Sequence, residues 1–75
     1  MRTVTFEIWD VDTANVISDH PTEVAALAYV RSVISRHGRG AVTTWELARI
    51  AGGRDAETIA IGDKLADRAC GSVPV

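Results

Sequence analysis

The sequence predicts an α+β fold: a small two-layer ββαββα domain with an antiparallel sheet of about four strands. One long helix, at about residues 22–37, packs on one sheet face, and a short C-terminal helix follows at about residues 63–70. Three observations predict this. Residues 3–10, "TVTFEIWD", alternate with the period of a half-buried strand. Residues 22–38, "TEVAALAYVRSVISRHG", repeat apolar side chains at helical spacing. The remaining apolar runs are short and bounded by Asp, Asn and Gly turns, as in hairpins. Residues 1–71 form one domain on this reading, and residues 72–75 a loose tail.

The first strand presents Val4, Phe6 and Ile8 on one side and Thr3, Thr5, Glu7 and Trp9 on the other. The first set is an evident core face; an indole on the second is unusual. "DVDTAN" ends the strand. Asp10, Asp12, Thr13 and Asn15 are turn formers, and Asn15 tolerates the left-handed conformation that tight loops need. "VIS" reads as a short return strand, and Pro21 stops it after a loop residue, His20.

Thr22 is the expected N-cap of the long helix, and Glu23 places a negative charge at the positive end of its dipole. Ala26, Leu27, Val30, Val33, Ile34 and His37 lie on one stripe, and Gly38 supplies the left-handed stop. After "GRG", "AVTTWELARIA" alternates again. Trp45 and Leu47 are expected inward; Val42, Thr44, Glu46, Ala48 and Ile50 share the other side. "TIAI" gives a fourth strand with Ile59 and Ile61 on one side. In the last helix Asp63 is the expected N-cap, Gly71 the stop, and Leu65, Ala66, Ala69 and Cys70 the apolar side.

At 75 residues a single core is barely self-sufficient. The single cysteine cannot form an internal disulfide, and it fits a cytoplasmic, reducing location. The N-terminus lacks the pattern of a signal peptide, and no apolar run is long enough to span a membrane. His20, His37 and Cys70 are too scattered to suggest a metal, and no cofactor motif is present: "GRG" and "AGG" lack phosphate-loop spacing. "DVDTAN" lacks the glycine turn and distal glutamate of a calcium loop. No nucleophile, base and orienting group can be placed together, so catalysis is not expected.

Two surfaces remain. One long helix and one short helix can cover only one sheet face, which leaves Thr3, Thr5, Glu7 and Trp9 on an open side; this suggests a protein interface, to a second copy in a dimer or to another protein. The second surface is Arg31, Arg36 and Arg39, with His37, near the end of the long helix. They could meet phosphates of a nucleic acid, but cations also belong at a helix C-terminus, and the net charge of −2 weighs against the first use.

"WDVDTANVIS", "PTEVAALAYVRSVISRHG" and "ETIAIGDKLADRA" resemble a group of short, uncharacterised bacterial ββαββα proteins. The resemblance covers nearly the whole chain and rests on turn, cap and core residues, so it implies a fold rather than an activity. Ala14 departs from it, standing where such proteins tend to have glycine. The strand followed by "TEVAALA" is also distantly similar to the partner-binding domain of HicB-type antitoxins, without their glycine and proline landmarks or DNA-binding appendix. That likeness implies an antitoxin-like regulator that docks on a protein.

Overall fold

A computed structural model describes residues 3–52 and 55–71. The elements are β1 (Val4–Asp10), β2 (Asn15–His20), α1 (Glu23–His37), a 3-10 turn (Arg39–Val42), β3 (Trp45–Ala51), β4 (Asp55–Ile61) and α2 (Asp63–Ala69). The strands form one antiparallel sheet in the order β2-β1-β3-β4, so β1 and β3 are central. The tail expected at residues 72–75 lies outside the described residues.

Both helices pack on the same side of the sheet. Ile8 and Leu47 face each other across β1 and β3, and Ala60 faces Leu47 from β4. These three join Ala26 and Val30 of α1 and Leu65, Ala66 and Ala69 of α2 in one core. Ile8, Val30, Val42, Leu47 and Leu65 are fully buried; each contributes about 1.5–3 kcal/mol through the apolar surface it removes from water. Trp45 packs against this core as expected, its ring stacked on Tyr29 of α1 at 6.1 Å.

Helix α1 is capped as its sequence suggests. Thr22 is extended, and its Oγ1 accepts from the Ala25 amide; Gly38, at φ 87°, donates its N–H to the Ile34 carbonyl. At α2 the cap shifts by one residue. Gly62, not Asp63, is the N-cap, with φ 60° and ψ −125°, a combination open essentially to glycine alone.

Several expectations are corrected. Val42 does not lie on a strand face: residues 39–42 coil into the 3-10 turn, which drops Val42 into the core. The Thr43 hydroxyl, donating to the Gly40 carbonyl, holds that turn, and the strand starts only at Trp45. His20 ends β2 rather than sitting in a loop. The left-handed residue of the first turn is Ala14, at φ 59°, and Asn15 already pairs with Asp10. Ile59 and Ile61 are split, because a bulge between Leu47 and Ala48 in the β3–β4 register lets Ile59 pack on the core while Ile61 faces Glu46 on the far side. Cys70 is the C-cap of α2 and is exposed rather than apolar-facing.

Candidate functional site

The sheet side turned away from the helices has no covering element among the described residues. Cross-strand partners share a face, so the register defines its rows. One row crosses all four strands: Val16, Trp9, Glu46 and Ile61. The next holds Asp19, Glu7, Ala48 and Thr58, and a third pairs Thr5 with Ile50 and Ile50 with Ala56. Thr5, Glu7 and Trp9 thus stand together as expected; Thr3 precedes β1 and is exposed.

Trp9 is half-buried and does not belong to the core that the helices cover. Its Nε1–H donates to Glu7 Oε1, two positions back on the same strand, at 2.8 Å. The indole is therefore held by its own sheet, with its polar edge satisfied and its ring surface left to its neighbours. Ala48 is only 4% exposed although it lies outside the core cluster that the helices cover. Val16 and Ile61, flanking Trp9 and Glu46, remain about half exposed, at 49% and 46%. A second bulge, between Ile8 and Trp9 in the β1–β2 register, keeps Val16 beside Trp9 while Ile17 packs on the core.

The face is also charged in one sense. Glu7, Asp19 and Glu46 lie on it, and no Lys, Arg or His of the described residues does. Glu46 accepts a hydrogen bond from the Thr58 hydroxyl across the β3–β4 pair. The three carboxylates became visible only once the strand order was known, since they come from three strands and share no local motif.

The arginines near the end of α1 serve a different surface. Arg31 Nη1 donates to the Ala69 carbonyl at the C-terminal end of α2, at 3.2 Å. Arg39 Nη2 donates to Asp67 Oδ1 at 2.9 Å and to the Asp63 carbonyl at 3.3 Å. The pKa of Arg39 is raised above its usual value, chiefly by that hydrogen bond to Asp67, with further help from the charges of Asp67 and Asp63. Arg68 of α2 completes the set by donating from Nε to Glu23 in the first turn of α1. The two helices run antiparallel and are cross-linked at both ends. Arg36 is exposed and bonds to none of the described residues.

One polar pair escaped sequence reasoning. Ser18 Oγ and His20 Nε2 lie 2.9 Å apart, the separation of a nucleophile and its base. The S-x-H spacing on a strand was the available signal, because it puts both side chains on one side. Among the described residues nothing bonds the other ring nitrogen, and the ring packs against Tyr29 with centroids 5.5 Å apart.

Comparison with protein-family models, with curated proteins and with solved structures returns no significant match. Among the described residues, no group of three or more His, Cys, Asp and Glu is placed to hold a metal ion. No described helix is long and apolar enough to cross a membrane.

Proposed function

We propose that the chain is a non-enzymatic protein-interaction module that acts through the open face of its sheet, by self-association or by docking on a partner protein. The observation that carries the reading is Trp9: a half-buried indole, fixed by Glu7, on a central strand of a face that the helices leave uncovered. Fixed aromatic side chains are favoured anchors at interfaces, because little conformational freedom is lost when a partner covers them. The exposed Val16 and Ile61 extend the apolar area on either side. The likeness to the partner-binding domain of HicB-type antitoxins points the same way, and the lone, exposed Cys70 fits a reducing cytoplasm.

A nucleic-acid role through Arg31, Arg36 and Arg39 has less support. Arg31 and Arg39 are engaged with α2, so only Arg36 offers an unengaged guanidinium for phosphate. The module reading is tested by replacing Trp9 with Ala and following association by analytical ultracentrifugation, alone and with a co-purified partner. Loss of association with retained fold is expected. Association that survives unchanged would refute the assignment of this face.

A further inference from the structure

Resting on the interaction reading above, we propose that the occupant of the open face is a cationic amphipathic segment of another protein, about one helix wide, rather than a second copy of this chain.

Charge is the first argument. Two copies meeting face to face would gather six carboxylates, Glu7, Asp19 and Glu46 of each, into one interface with no described cation of that face among them, and like charges at an interface are unfavourable. Among the described residues a second copy has few cations to offer: Arg31, Arg39 and Arg68 are committed to the α1–α2 links, Arg49 faces Glu57 across β3 and β4 at 3.8 Å, and only Arg36 and Lys64 bond to no other described residue. An acidic face of this kind is complemented best by a partner that brings its own cations.

Area is the second. The four strands span about 14 Å at ~4.8 Å per gap, and seven residues of strand about 23 Å, giving roughly 330 Å² in projection. That footprint matches one helix of ~10–12 Å diameter lying along the strands. The edges are less suited to strand addition, because the registers of both β2 and β4 are broken by bulges.

The third is the anchor. A Lys or Arg head over the Trp9 ring would gain a cation–π contact, with Glu7 and Glu46 beside it as counter-charges, while the apolar side of the segment covers the exposed Val16 and Ile61.

The test titrates the isotope-labelled protein with two synthetic helical peptides of about 15 residues and identical leucine pattern, one with Lys and one with Glu at every polar position. The Lys peptide is expected to shift the Trp9 indole N–H and the amides of Glu7, Asp19 and Ala48, with affinity falling at least about tenfold from low to high salt. Asp19→Lys and Glu46→Lys should each weaken it on the order of tenfold, and Arg36→Glu should not. Equal binding of both peptides, shifts confined to the helices, or indifference to both reversals would overturn the inference. A Trp9-dependent dimer without Lys-peptide binding would overturn it too, but leave the module reading standing; a Trp9 that responds to neither peptides nor protein concentration would remove both.

Discussion

Replacing Gly62 with Ala should cost far more than replacing any other glycine of the described chain. Gly62 caps α2 at φ 60° and ψ −125°, outside the region open to L-residues, and a strained backbone of this kind costs about 1–3 kcal/mol. A Cβ there would also meet the Thr43 carbonyl oxygen at 3.0 Å, and that oxygen is backbone, so it cannot swing aside. Easing the contact would strain the bond from the Gly62 N–H to the Trp45 carbonyl, which fastens α2 to β3. The two effects sum to about 2–4 kcal/mol, a large part of the few kcal/mol by which so small a domain is stable. At ~4–8 °C per kcal/mol the melting temperature should fall by at least about 8 °C. Gly38→Ala is the matched control, since Gly38 is also at positive φ but its Cβ would enter open space. Thermal unfolding followed by far-UV circular dichroism reads both. Equal losses in the two variants would refute the steric part of the reasoning, and no loss at Gly62 would refute the whole of it.

Other outcomes follow from the same structure. Ala14→Gly should stabilise by about 0.5–1 kcal/mol, because it relieves the left-handed strain at φ 59° while adding some unfolded-state freedom; urea unfolding checks this. Thr22→Ala should cost about 1 kcal/mol through loss of the bond to the Ala25 amide, with Thr22→Ser recovering most of it. The double variant Arg31→Ala, Arg39→Ala should speed amide hydrogen exchange at Ala69 in α2 and at its C-cap Cys70, and leave the β1–β3 ladder unchanged. If exchange in α2 does not change, the arginines do not hold it. The raised pKa of Arg39 implies stability that is present at lower pH and lost only as pH rises through that value, so neutral and mildly alkaline solutions should leave this link intact.

What was legible in the sequence is what local chemistry determines. The alternation of Val4, Phe6 and Ile8, the helical stripe through Val30, and the caps Thr22, Gly38 and Gly71 are each visible within a few residues. So is the inward side of β3, because Trp45 and Leu47 bracket Glu46. The errors share another cause. A bulge inserts one residue and reverses the alternation beyond it, so Ile61 could not be placed from its spacing to Ile59. Val42 continued the β3 alternation by chance, since "VTTW" fits a strand as well as it fits a turn leading into one. Cys70 fell on the apolar stripe only if α2 continued past Ala69, and it does not. The open face was anticipated at Thr5, Glu7 and Trp9, but its charge was not. Asp19, Glu7 and Glu46 meet only through strand pairing, and the antiparallel placement of β3 beside β1 is not written in any short stretch. The same holds for Arg31 and Arg39, whose partners in α2 lie far along the chain.

The free energy of unfolding of Trp9→Ala bears most directly on the claim that the indole stands on an unroofed surface kept for a partner. An indole that packs only on neighbours of its own sheet face should cost about 1–2 kcal/mol when removed from the isolated protein, its bond to Glu7 included. A loss of about 3–5 kcal/mol, the range for an aromatic ring taken from a packed interior, would contradict it.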